Sequence, residues 1–255
     1  EGLVVPVVGQ DLLAIPLPSG VVSLQEWLAS RLAERLGMST AGPCSGPPLC
    51  GVVSRYLQQG GDLDDVYPAI RASMPECGEL PLPPALVKLA QIDGFQLFVT
   101  TTFDSLLKEA LDKVRSRGMP NTGEYAFSPL SLGDLSCQWS ADSEPAVFHL
   151  LGRVSAIPGD YAVTEEDVLE FVRALQSEAA QPARLLSELN QRHLLILGSG
   201  FPDWVLRFLL RIGKGERLWM ARRAAWIADA GLKDDPGLPR FLEDFRTRTS
   251  LFHGG

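Results

Sequence analysis

Histidine is scarce in this chain of 255 residues: the three are His149, His193 and His253. Chemistry that moves protons through imidazole therefore has few groups to draw on. Cysteine is nearly as sparse. Cys44, Cys50, Cys77 and Cys137 form no C-x-x-C pair, so a zinc ribbon is not expected, and at this chain length they do not suggest a disulfide scaffold. They read as structural thiols of a reducing cytosol, with Cys44 and Cys50 able to pair only under oxidation. No block of like charge stands out. The net charge of −8 argues against a nucleic-acid surface, which would be basic. The longest apolar runs have strand length, so no transmembrane helix is expected. The start, Glu1-Gly-Leu-Val-Val-Pro6, has neither a methionine nor the basic region of a signal peptide. The expectation is a single cytoplasmic domain, 1–255, cut from a longer multidomain protein, with no membrane and no nucleic-acid partner.

Apolar residues are plentiful. They make up 45% of the chain, enough for a sizeable core. Strand-type runs at Leu3–Val8, Leu97–Thr101, Ala146–Leu151 and His193–Leu197 alternate with stretches of helical spacing. Shorter runs at Tyr161–Val163, Leu218–Ala221 and Thr247–Phe252 also have strand length. Ser23 with Glu26, and Thr164 with Asp167, have the spacing of helix-starting capping boxes. Thr40–Gly51 is a Gly/Pro/Cys loop, and Gly118–Ser140 is polar and turn-rich. The alternation predicts an α/β fold: a Rossmann-like parallel sheet with helices on both faces and a small helical insertion.

The most informative stretch is the second strand with its turn and helix. Leu97–Thr101 runs into Thr102-Phe103-Asp104, then into Leu106, Leu107, Ala110, Leu111 and Val114 at helical spacing. Ligands of open α/β sheets sit outside the carboxyl ends of strands, so Thr102 and Asp104 are candidates to face a cleft. The competing reading is that they only cap the helix. Gly9, directly after the first strand, stands where a phosphate can approach the backbone. A dinucleotide fingerprint wants three glycines, however, and Gly9-Gln10-Asp11 supplies one. Gly198-Ser199-Gly200 comes directly after the most apolar strand.

Three stretches in order carry a family resemblance: Val99-Thr-Thr-Thr-Phe-Asp-Ser-Leu-Leu107; His149-Leu-Leu-Gly-Arg-Val-Ser155 with Thr164-Glu-Glu-Asp167; and Leu197-Gly-Ser-Gly-Phe-Pro-Asp-Trp204 running into Arg207-Phe208. They resemble the sirtuin-like domains of bacterial anti-phage defence proteins, whose pieces read T-T-N-F-D, H-L-H-G-S-V with L-T-E-E-D, and F-L-G-Y-S-x-x-D-W-x-x-R-x-L. Val5-Pro-Val-Val-Gly9 matches that family's first strand and nucleotide loop. The resemblance implies a Rossmann-type sheet with an inserted helical module, no zinc module, and a site that binds NAD and, when active, hydrolyses it. By residue, it implies cofactor contacts from Gly9, Gln10, Asp11, Gly198 and Ser199.

The departures bear on activity. Thr102 stands where the family has its catalytic asparagine, and Leu151 where it has its catalytic histidine. Asp104 matches the family aspartate. A leucine cannot move a proton, and a threonine hydroxyl does not match the reach of the amide. Catalytic positions Thr102, Asp104 and Leu151 therefore point to a degenerate domain serving assembly, scaffolding or nucleotide sensing in a defence protein, through self-association or contact with other domains and subunits. The alternative is an active NAD hydrolase with an atypical site built on Asp104, Thr102 and His149. His149 is expected to share a strand face with Leu151, about 6–7 Å away, and to be structural.

Overall fold

The computed structural model describes residues 3–38, 47–140, 142–200, 202–233 and 237–252. Strand β1 (Val4–Val8) is followed by a single 3-10 turn and a hairpin, β2 (Ala14–Leu17) and β3 (Gly20–Ser23). Four helices come next: α1 (Leu24–Arg35), α2 (Pro48–Gln58), α3 (Leu63–Ser73) and α4 (Pro84–Ala90). The chain continues through β4 (Leu97–Thr100), α5 (Leu106–Arg115), β5 (Gly123–Ala126), β6 (Ala146–His149), α6 (Glu165–Leu175), α7 (Ala183–Gln191) and β7 (His193–Leu197). It closes with α8 (Asp203–Lys214), β8 (Ala225–Ala228), α9 (Gly237–Asp244) and β9 (Thr249–Phe252).

Among the described residues the main sheet has seven strands in the order β5-β6-β4-β1-β7-β8-β9, and every pairing in it is parallel. One core lies under α1–α5 and contains Leu28, Leu32, Val53, Tyr67, Leu86, Phe98 and Leu111. The other lies under α6–α9 and contains Val99, Phe148, Phe171, Leu189, Ile196, Leu210 and Leu242. The expected Rossmann-like arrangement is present, with α1–α4 and the hairpin forming the insertion. β1 sits where the strand order reverses: β4, β6 and β5 extend to one side, β7, β8 and β9 to the other. That topology places a crevice at the carboxyl ends of β1, β4 and β7. No helix among the described residues is long and apolar enough to cross a membrane.

Local chemistry accounts for the element starts. Ser23 Oγ accepts from Glu26 N and the Glu26 carboxylate accepts from Ser23 N, closing the capping box of α1. Thr164 and Asp167 do the same for α6.

Several boundaries differ from expectation. The strand expected over Ala146–Leu151 stops at His149, and the chain turns at Leu150 and Leu151, so the alternation that would put His149 and Leu151 on one face is broken. Leu218–Ala221 is a turn region in which Trp219 and Met220 are exposed; the strand is β8, where Ala225 and Ile227 alternate inward. Tyr161 makes only an isolated bridge to Gly152. Of the loop expected at Thr40–Gly51, residues through Gly46 lie outside the described set, Cys44 among them, and the chain is helical from Pro48. β5 hides in the turn-rich stretch because its Glu124 points at a buried partner and breaks the apolar pattern.

Candidate functional site

At the carboxyl ends of these strands lies a cleft of about 300 Å³. Gln10 comes from the turn after β1; Thr101, Thr102 and Phe103 from the loop after β4; Leu151 from the turn after β6; Gly200, Pro202 and Val205 from the α8 entry. Gln25 and Cys50 close it from the helical insertion, and Ala162, Thr164, Glu165 and Val168 from the start of α6. Thr102 and Leu151 thus line one cleft, with Gln10 opposite. Gly9, Asp11, Asp104, Gly198 and Ser199 do not line it.

Each of those five has a packing role. A Cβ on Gly9 would lie 2.3 Å from the Gly198 carbonyl oxygen and 2.4 Å from Ser199 Cα, so glycine is required for the loops after β1 and β7 to touch. Asp11 N donates to Gly198 O at 3.1 Å, and Gln10 Nε2 donates to Gly200 O at 2.9 Å, zipping the two loops together. Ser199 is buried, and its hydroxyl donates to Asp229, which also accepts from Ser199 N and Gly200 N. Burial, then the nearby Asp229 charge, raises the pKa of the Asp11 carboxyl. Sequence reasoning misses Asp229; its one local signal is that it is an aspartate just after a strand.

Asp104 is 2% exposed. Its Oδ1 accepts from Leu106 N at 3.0 Å, the capping role weighed from sequence. Its Oδ2 is buried without a hydrogen-bond partner among the described residues. Burial raises the pKa of this carboxyl, against hydrogen bonds and the His149 charge acting the other way. The Thr102 hydroxyl is 2.8 Å from Thr100 Oγ1. Thr100 Oγ1 also accepts from Thr102 N at 3.1 Å and lies 3.3 Å from the Val8 carbonyl.

His149 is completely buried beneath this loop. Nδ1 donates to the Thr102 carbonyl at 3.0 Å, and Nε2 meets Glu124 Oε1 at 3.1 Å. Glu124 is further held by Ser105 Oγ at 2.8 Å and Arg153 Nη1 at 2.9 Å. Burial alone would raise the Glu124 pKa; the hydrogen bonds from His149 and Ser105, with the charges of His149 and Arg153, bring it down to about 2. His193 is far from this loop in the sheet, its Nδ1 accepting from Ala224 N at 2.9 Å. His253 and the Asp203 side chain lie outside the described set.

The segment after β1 bears on the expected cofactor. A dinucleotide pyrophosphate is held by a glycine turn that opens directly into a helix N-terminus. Here β1 leads into a three-residue 3-10 turn, Gln10–Leu12, and then the β2–β3 hairpin; α1 begins only at Leu24. That cradle is not built at this position. Among the described residues, no group of three or more His, Cys, Asp or Glu side chains is placed to hold a metal ion.

A family model described as SIR2-like domain matches residues 96–250, more than half of the chain and every element from β4 to α9, ending within β9. The chain belongs to the SIR2-like domain family. The matched stretch of this SIR2-like domain contains Thr102, Asp104, Leu151 and Ser199, while Gly9, Gln10 and the helical insertion precede it. A search of the curated proteins finds no match to the chain.

Proposed function

We propose that this SIR2-like domain does not hydrolyse NAD and serves as an assembly, scaffold or ligand-sensing module of a cytoplasmic bacterial defence protein. It would work through self-association or through contacts with other domains and subunits of a defence complex. One observation carries the reading: no imidazole among the described residues lines the cleft. Leu151 occupies the wall at the position of the family's histidine, and the neighbouring His149 is sealed below with both ring nitrogens engaged. General acid–base catalysis contributes about 10²–10⁴-fold, and an apolar side chain supplies none of it. The Thr102 hydroxyl is paired with Thr100 and offers no amide to orient water.

The second reading, an NAD hydrolase with an atypical site, is favoured by the buried, unpartnered Oδ2 of Asp104, whose raised pKa suits a proton-holding acid. Its absence from the cleft wall weighs against that role. The test is nicotinamide release from NAD by the whole protein, beside the Thr102→Asn, Leu151→His double variant. No release from the wild type is expected, with partial activity in the double variant. Robust release abolished by Asp104→Ala or His149→Ala would install the second reading.

A further inference from the structure

The cleft's chemistry bears on what it can hold. None of its described lining residues is a lysine, arginine or histidine. The adjoining segments outside the described set, residues 39–46 and 201, contain none by sequence. Carboxylates are close instead. Glu165 lines the cleft, and Asp11 lies at its Gly200 corner, where a Cβ on Gly200 would come within 2.8 Å of Asp11 Oδ1.

Backbone N–H groups at the helix start that borders the cleft are likewise committed. The α6 N-terminus, which borders the cleft, carries Glu165, Glu166 and Asp167 in its first turn. Asp167 Oδ2 accepts from the backbone N–H groups of Val163 and Thr164. Acidic residues at a helix start neutralise the partial positive charge that a phosphate would use. The Gln10 side chain crosses to Gly200, where a Cβ on Gly200 would meet Gln10 Nε2 at 2.4 Å, so the junction of the two loops is filled.

We infer that the cleft takes a phosphate-free ligand of nucleoside size, uncharged or cationic, and rejects the pyrophosphate of a dinucleotide. This rests on reading the cleft as a binding pocket and not a reaction site. Apolar walls at Phe103, Leu151, Val163 and Val205 take the ligand body. Gln25 and Thr164 supply polar contacts, and Glu165 favours positive over negative charge.

Isothermal titration of the whole chain tests this with four probes: adenosine, nicotinamide riboside, ADP-ribose and NAD. At least one phosphate-free probe is expected to bind ten-fold or more tightly than ADP-ribose and NAD. Leu151→Trp, which fills the cleft, should abolish that binding. Glu165→Gln should weaken nicotinamide riboside about ten-fold relative to adenosine. Ligand-observed NMR on the wild type gives the same ranking without relying on a variant that folds. ADP-ribose or NAD binding as tightly as the phosphate-free probes overturns the inference, and so does the absence of binding by both phosphate-free probes. Nicotinamide release measured in the same NAD samples reads the proposed inactivity separately. Turnover without tight ADP-ribose binding would remove the inactivity and leave the ligand preference standing.

Discussion

His149 and Glu124 form a buried pair directly under the loop that carries Thr102: Nε2 lies 3.1 Å from Oε1, and the other ring nitrogen lies 3.0 Å from the Thr102 carbonyl. Both ring nitrogens are thus engaged by acceptor oxygens. His149 therefore holds the loop and does not line the cavity.

Glu124→Ala should cost about 3–5 kcal/mol in urea unfolding, because it strands the partner of a buried pair. The pH dependence has a definite sign. The folded pKa of Glu124 is depressed to about 2 from 4.5, so its contribution is fully present above pH 4.5 and is lost as pH falls toward 2. The acid limb of the stability profile should be shallower in the variant.

Gly9→Ala should lower stability by about 1–3 kcal/mol, the usual cost of forcing atoms into a packed site. The added methyl meets backbone at 2.3 Å and 2.4 Å, which no rotamer relieves. Thermal unfolding measures this. An unchanged melting temperature would mean that the loops after β1 and β7 are not packed together.

Tyr67→Phe tests the tether between the helical insertion and α6. Tyr67 on α3 donates to Asp167 on α6 at 2.8 Å, and its ring packs edge-on to Tyr161 at 5.1 Å. Burial first, then the charge and hydrogen bond of Asp167, raises the pKa of the Tyr67 hydroxyl. Losing a hydrogen bond to a charged group should cost about 1.5–3 kcal/mol. Hydrogen exchange should rise in α3 and at the start of α6 together.

Lys214 predicts the alkaline limb. It is 7% exposed, and its Nζ donates to the carbonyls of Arg223 at 2.8 Å and Ala224 at 2.7 Å. Burial, then the Arg223 charge, lowers its pKa to about 8 from 10.5. Between those values the unfolded chain binds the extra proton, so this group's contribution to stability rises with pH across that window. In Lys214→Met the rise should vanish, measured as the difference between the two profiles.

Much of the fold was legible because it rests on local rules. The strand at β7 is five apolar-rich residues, Ser23 and Thr164 carry their capping partners three residues on, and the strand–turn–helix around Thr102 announces itself. β5 was not legible, since its Glu124 is turned toward His149 and its edge position demands no apolar run. The Leu218–Ala221 run misled because a short apolar stretch exposes or buries its side chains according to neighbours that the stretch does not contain.

The same division runs through the site. Periodicity and chain order by themselves determined the parallel sheet and the crevice at its carboxyl edge, with Thr102 beside it; Leu151 was marked by the family resemblance. Whether a polar residue near that edge is available to a ligand was decided only in three dimensions. Asp104, Ser199 and Gly9 read as site residues in one dimension, yet Oδ1 of Asp104 is taken by Leu106 N, Ser199 by Asp229, and Gly9 is packed against the Gly198–Ser199 backbone. Hydrogen-bond partners 30 residues apart, such as Ser199 and Asp229, leave no local trace. A buried polar group takes whichever partner the packed chain brings within reach, because leaving it unpaired is costly.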